Sequence, residues 1–376
     1  MLRYTTAGES HGPCLLATIE GIPYGTPVDL AHVNSELARR QGGYGRGARM
    51  KMEKDEATVL SGVRNGHSLG SPITLQVANR VHNAEDLHPI TRPRPGHADL
   101  AGAMKFGTTD ARDISERSSA RETAARVAAG AFANSFLRLF EIEVCGYVVE
   151  LGGIAGETRA ESADELRRVR DASAFYCLDP VFDDRLRAAV DQAKEAGDTL
   201  GGLFEVRVFR PPPGLGSHAG WEGKLDGALA RALMSVQTVK AVEVGLGFGA
   251  ARLRGSLMHD PIVQGPDGRL ARSRNNAGGI EGGMTNGQTV VVRAACKPIS
   301  TLRKPLETVD LQSKAAAAAA YERSDVCVVP AASVIGEAVV GFEIARAFLE
   351  KFGGDTYEET RQRYETYGAG LAKFQR

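Results

Sequence analysis

Four short segments of this chain carry residue types that chemistry uses. Gly8-Glu9-Ser10-His11-Gly12 sets a hydroxyl beside an imidazole between glycines. It fits G-x-S-x-G, the nucleophile elbow of serine hydrolases, but that elbow needs a strand before it and a helix after it. Here almost nothing precedes the motif, and Pro13 leads into residues 14–22, which read as a strand. The other chemical reading is a pair of acid/base groups in a site assembled from distant segments; the plain one is a glycine-flanked turn. Arg92-Pro93-Arg94-Pro95-Gly96-His97-Ala98-Asp99 mounts an imidazole on a backbone shaped by two prolines and a glycine. A rigid mount suits a proton-transfer group that titrates near neutrality, although a surface histidine in a proline turn would look the same.

Arg40, Arg46, Arg49, Arg94, Arg117, Arg121 and Arg323 lie in or beside irregular, glycine-rich surroundings. Guanidinium forks suit phosphate and carboxylate oxygens. With 46 basic and 46 acidic residues the formal charge is zero, so such a cluster would be a local pocket for a small polyanion and not a nucleic-acid or membrane surface. The run from Ala277 to Gly287, followed by Lys297-Pro298-Ile299-Ser300-Thr301, has neither the Rossmann nor the P-loop spacing. Its glycines would let a flavin or nucleotide ring lie against backbone; tight turns without a ligand are equally open.

These segments need elements to hold them. Arg117-Ser118-Ser119-Ala120-Arg121-Glu122-Thr123 opens an alanine-rich helix running to Phe140, with Ser119 and Glu122 at capping-box spacing. Glu122, Arg126, Gly130, Asn134 and Arg138 make one narrow polar stripe, so the helix is predicted to be buried on most sides. Its first turn, with two hydroxyls and two guanidiniums, would then form an internal anion site. Strands are expected at 14–22, 58–63, 73–78, 144–151, 203–209 and 288–295, with Asn65-Gly66 closing a hairpin-like pair. Helices are expected from Asp29 to Arg40 and over 162–172, 183–196, 224–236, 314–321 and 333–352. Gln41 to Lys54 reads as a basic, mobile loop, and Val81 to Asp113 as a long irregular stretch carrying His82, His88 and His97. A faint echo links Ser61-Gly62-Val63…Gly66…Ile73-Thr74-Leu75 with Gly278-Gly279-Ile280…Gly287…Val290-Val291-Val292, the trace of a duplicated unit. No composition shift cuts the chain, so one α+β domain spanning 1–376 is expected, with a core of about 3–354 and a polar tail at 355–376.

Five well-separated cysteines without a CxxC pair read as reduced thiols in a cytoplasmic protein, with no disulfide frame and no metal site. The first residues contain no apolar signal core, and no stretch suits a bilayer.

Taken together and in order, Gly8–Gly12, Arg94-Pro95-Gly96-His97-Ala98-Asp99, Arg117–Ala124, Gly278–Gly283 and Glu322-Arg323-Ser324-Asp325-Val326-Cys327 resemble the signature segments of the chorismate synthase family over roughly Arg3 to Gly354. The resemblance implies a β-α-β sandwich, usually a homotetramer. It implies a lyase that converts 5-enolpyruvylshikimate-3-phosphate to chorismate by 1,4-anti elimination of phosphate with reduced FMN, the last shared step toward the aromatic amino acids. By the same resemblance His11 would protonate, or stay hydrogen-bonded to, the reduced flavin, and His97 would assist the leaving phosphate or the proton traffic between flavin and substrate, with Ser10 and Asp325 as a proton-relay pair. Arg40 and Arg46 would stand at the substrate or NADP mouth. Arg117, Ser118, Ser119, Gln237, Thr238, Gly282, Lys297, Pro298, Ile299, Ser300, Thr301 and Arg323 would contact FMN. No reductase domain is apparent, so an outside reductant such as NADPH would supply the electrons. Ser324 stands where many members have histidine, and Gly43-Tyr44-Gly45 replaces a less glycine-rich loop.

Overall fold

A computed structural model describes residues 1–47, 54–80, 87–156, 160–266, 268–322 and 325–375. Arg49, Lys51 and the rest of 48–53, His82, Arg323 and Ser324 lie outside the described residues. Along the first half run β1 (Arg3–Ala7), β2 (Cys14–Glu20), α1 (Leu30–Gln41), β3 (Ala57–Ser61), the hairpin β4/β5 (Val63–Arg64, His67–Ser68) and β6 (Ile73–Ala78). Two short helices follow, α2 (Asp99–Phe106) and α3 (Arg112–Ser118), then α4 (Thr123–Arg138). The second half supplies β7 (Glu143–Leu151), β8 (Ile154–Ala155), α5 (Ala163–Ala172), α6 (Asp183–Ala196), β9 (Gly202–Phe209), α7 (Leu225–Met234) and β10 (Val239–Val244). Three hairpins, β11/β12 (Ile262–Gln264, Leu270–Arg272), β13/β14 (Ile280–Glu281, Met284–Thr285) and, beyond β15 (Val290–Cys296), β16/β17 (Glu307–Val309, Ala316–Ala318), precede α8 (Val329–Phe352) and α9 (Tyr357–Phe374).

Alternating apolar residues build two antiparallel sheets, β1-β2-β6-β3 and β8-β7-β9-β15-β10. Leu15, Ala17, Ile19, Ile73, Leu75 and Val77 face inward from the first; Phe204, Val206, Val208, Val290 and Val292 do so from the second. Between them lies a helical layer in which α4 packs on β2 and β6, α8 on β7 and β9, and the two helices on each other. Glycine permits that approach: a Cβ on Gly130 would sit 2.3 Å from the Ala338 carbonyl oxygen, and one on Gly341 1.7 Å from Asn134 Oδ1. The result is the expected α+β sandwich. Among the described residues no helix is long and apolar enough to cross a membrane.

The halves repeat one plan. β1, β2, α1, β3, β4/β5, β6 and α4 correspond in order to β7, β9, α7, β10, β13/β14, β15 and α8, and the sheet orders β1-β2-β6-β3 and β7-β9-β15-β10 match strand for strand. Even the isolated bridges Pro27↔His67 and Gly216↔Met284 fall at equivalent points. The short sequence echo marks this duplication.

Several expectations are corrected. Lys314–Tyr321 is not a helix but the turn and return strand of β16/β17. Asp310 accepts the Gln312 and Ser313 N–H groups, which makes a tight turn, and Ala320 donates to the Arg92 carbonyl. Those tertiary bonds override the alanine helix propensity. The polar tail is the helix α9, closed by a Thr356/Glu359 capping box, with Tyr364 against Phe140, Phe348 and Phe352. α8 begins at Val329, earlier than expected, and is buried along nearly its whole length rather than amphipathic. The capping box at Ser119 does not form either. Ser119 accepts from Arg121 N–H in a single 3-10 turn, and Glu122 turns instead to Thr6 and Arg126. The stretch read as irregular from Val81 to Asp113 contains α2 and the start of α3, and β1 and β10 had no sequence expectation.

Candidate active site

β1 and β2 are joined by residues 8–13. Gly8 has φ 99, and a Cβ there would lie 2.2 Å from the Cys14 carbonyl oxygen, so the turn demands glycine. It carries Ser10 and His11 against α3. Glu116 of that helix accepts the His11 backbone N–H on Oε2 at 2.8 Å and meets His11 Nδ1 with Oε1 at 2.8 Å, while its carbonyl accepts the Ser10 N–H at 3.0 Å. Asn79, directly after β6, clasps the turn from the other side, its amide donating to Gly12 O at 2.7 Å and Glu9 O at 3.2 Å. The path is strand–turn–strand, so the helix a nucleophile elbow requires is missing.

His97 follows Gly96, whose φ is 76. Its Nδ1 lies 2.5 Å from Oδ1 of the fully buried Asp99. Arg94 binds the same carboxylate through Nε at 2.7 Å and Nη2 at 2.9 Å. Burial raises the Asp99 carboxyl, but the bonds from His97 and Arg94 outweigh it and hold the group well below the usual range. Arg94 also donates to Ser115 Oγ at 2.8 Å and reaches Thr301 Oγ1 at 3.4 Å. Ser115 and Glu116 are neighbours on α3, so one helix braces both imidazoles.

The arginines divide into two kinds. Arg40 and Arg121 grip the two oxygens of Asp55, each at 2.6 Å, and Arg121 also donates to Asn79 Oδ1 at 2.8 Å. Arg121 is therefore a buried structural cation, not a free guanidinium at the helix start. Arg40 reaches Thr123 Oγ1 at 3.3 Å. Arg46 pairs with Asp325 at 2.7 Å, and Asp325 Oδ1 accepts the Gly47 N–H. Arg117 is partly exposed and donates to the Thr6 and Gly8 carbonyls.

The family model for chorismate synthase matches residues 2–349. A chorismate synthase of Geobacter metallireducens is 54% identical, with all of both chains covered. That of Geobacter sulfurreducens is 53% identical over 98% of each. A crystal structure of a chorismate synthase superposes with a TM-score of 0.81 at 41% identity, covering 98% of both chains. The chain belongs to the chorismate synthase family. Nothing in these matches supports the hydrolase reading.

The positions that chorismate synthases suggest for FMN line a chain of contacts that starts at α4 and ends at His97. Gln237 Nε2 donates to Glu122 at 3.4 Å, and the Lys297 N–H to the Thr238 carbonyl at 2.9 Å. Lys297 Nζ bonds the Gly96 carbonyl beside His97, the Ile299 carbonyl takes Thr199 Oγ1 at 2.8 Å, and Thr301 meets Arg94. Ser300 Cβ lies 3.7 Å from where a Cβ on Gly96 would stand. Thr238 has φ 76, a strained setting for a β-branched residue. Gly282 sits apart on the β13/β14 turn with Lys224 Nζ on its carbonyl; a Cβ there would meet nothing within 4 Å. A flavin phosphate and ring would fit such a lining. Ser118 Oγ and Gln237 Oε1 are buried with no hydrogen-bond partner among the described residues, which suits polar groups awaiting a ligand. Glu116, Asp55, Asn79 and Ser115, which accepts from Arg94, were missed by sequence reasoning as site-builders. Glu116 stands 105 positions from His11, and no local spacing signals such a pair.

Proposed function

We propose that this protein is a carbon–oxygen lyase that eliminates phosphate from 5-enolpyruvylshikimate-3-phosphate to give chorismate, with reduced FMN as cofactor. The observation that carries this, beside family membership, is the bracing of His11 and His97 by adjacent residues of α3, next to a lining of cations and unpartnered polar groups. The substrate brings a phosphate and two carboxylates and FMN another phosphate, so the need is for guanidiniums and hydroxyls at fixed places.

Bound there, reduced FMN would offer an electron-rich ring beside the substrate with no net redox change over the reaction. The protein's share is positioning and proton control. His97, its Nδ1 tied to Asp99, offers Nε2 to the departing phosphate, and Asp99 supports the imidazolium. His11 offers Nε2 to the flavin. Ser10 and Asp325 would serve as the proton-relay pair at the flavin site. Arg46 orients substrate anions, and Arg40, buried on Asp55, adds its charge to that end of the site from behind. Arg117, Ser118, Ser119, Gln237, Thr238, Gly282, Lys297, Pro298, Ile299, Ser300, Thr301 and Arg323 hold FMN. The chain acts as a single domain over 1–376, as a homotetramer in the cytoplasm, and takes reducing equivalents from outside, NADPH being one source. An anaerobic assay with reduced FMN and the enolpyruvyl substrate is expected to release inorganic phosphate and chorismate. No release under those conditions, or equal release with oxidised FMN and no reductant, would refute the reading.

A further inference from the structure

We propose that Glu116 is a positioning residue that fixes the ring tautomer of His11, holding the proton on Nδ1 and leaving Nε2 as the basic nitrogen of the ring. This rests on the reaction proposed above only for its kinetic arm.

The carboxylate has two donors to satisfy. Its Oε2 takes the His11 backbone N–H, which can only donate, at 2.8 Å. Its Oε1 stands 2.8 Å from Nδ1 of the same residue. An ionised carboxylate is acceptor-only, so the proton between Oε1 and the ring belongs to Nδ1. Burial raises the Glu116 carboxyl, but the His11 ring and backbone bonds and then the Arg112 charge outweigh it, so the group stays ionised. Arg112 Nη1 stands 3.8 Å from Oε1 on the same helix, anchored to Glu322 at 2.8 Å and through Nε to the His88 carbonyl at 2.9 Å.

The side chain is also fixed in space. The Glu116 carbonyl accepts the Ser10 N–H, so the turn is stapled to α3 by three bonds on one residue. Ser115, one step back, receives Arg94, which holds the carboxylate bound to His97. The two imidazoles therefore share a rigid reference, each bound to its carboxylate through Nδ1.

Glu116→Gln removes one acceptor without changing shape. The amide can accept from only one of the two donors through its oxygen, and its NH2 must face the other. If the backbone N–H keeps the oxygen, the NH2 faces Nδ1 and forces the proton to Nε2. The test is the nitrogen-15 spectrum of the apo protein labelled at histidine, recorded at about pH 8.5, where an ordinary imidazole is neutral. The His11 signals are assigned by their loss in His11→Gln. The wild type is expected to show Nδ1 protonated and Nε2 bare, and Glu116→Gln to shift His11 toward the opposite tautomer. The other imidazoles should stay unchanged. In the kinetic arm kcat should fall about a hundredfold with KM changed little, the scale of a lost proton-transfer partner. Ser115→Ala should leave the His11 tautomer as in the wild type. A wild-type His11 protonated on Nε2, or an unchanged spectrum in Glu116→Gln, overturns the proposal. So does a Glu116→Gln defect confined to KM. If the wild type releases no phosphate, the reaction is wrong, and the spectra still decide the role of Glu116.

Discussion

The two candidate imidazoles are each tied to a carboxylate, His11 to Glu116, 105 positions away, and His97 to Asp99 in its own segment. The mount of His97 was legible from two prolines and a glycine. Replacing His97 by Ala is expected to lower anaerobic phosphate release about a hundredfold or more, the worth of a positioned acid or base; near-normal turnover would remove it from the reaction. The Ser118 hydroxyl, buried without a partner among the described residues, gives a binding test. Ser118→Ala should weaken reduced FMN by roughly fivefold, about 1 kcal/mol for one neutral hydrogen bond, as read by anaerobic titration. An unchanged Kd would place the flavin elsewhere. At this scale the sequence showed which groups were chemically able and hid what they were tied to. Arg121 looked like a free cation at a helix start, yet Asp55 and Asn79, 66 and 42 positions away, consume it. Motif spacing reports neighbours along the chain, whereas charge pairing is settled across it.

Among the elements, strands with an inward apolar face were readable and boundaries set by tertiary bonds were not. Leu203–Phe209 alternates and is a strand; the alanines after Lys314 have no face to bury and follow the Asp310 turn into a hairpin. The contact of α4 with α8 was invisible because it depends on absent side chains. Gly130→Val should therefore destabilise by about 1–3 kcal/mol in chemical denaturation, the cost of overpacking, despite removing a helical glycine. Stability equal to or above the wild type would mean that the helices have room to part. Glu337 of α8 ties Arg39 of α1, Arg170 of α5 and the Gly146 N–H of β7. Burial raises its carboxyl, but Arg39 and Arg170 bring it below the ordinary value. A depressed carboxyl stabilises the fold above the unfolded-state value of about 4.3, and the gain is lost as pH falls through the folded value. Glu337→Gln should thus cost about 3 kcal/mol at pH 7, the lower end for breaking a buried pair, because Arg39 keeps Glu36 and Arg170 keeps Asp171. The gap to wild type should narrow below about pH 4; a gap that widens in acid would show that the carboxyl is not the depressed group.

For the molecule as a whole, five short motifs in order pointed to the family, and the faint glycine echo was the only outward sign that the fold is built twice. Duplication is hard to see from sequence because the frame needs only apolar alternation and a few turn glycines, which many residues satisfy. What the frame leaves free has diverged. Asn79 follows β6 and Lys297 follows β15, so they occupy corresponding places, yet one is an amide clasping carbonyls and the other a cation beside His97. A pseudosymmetric scaffold would by itself offer an anion two equivalent ways to lie. Such mismatched pairs break that degeneracy and give the bound molecule a head and a tail.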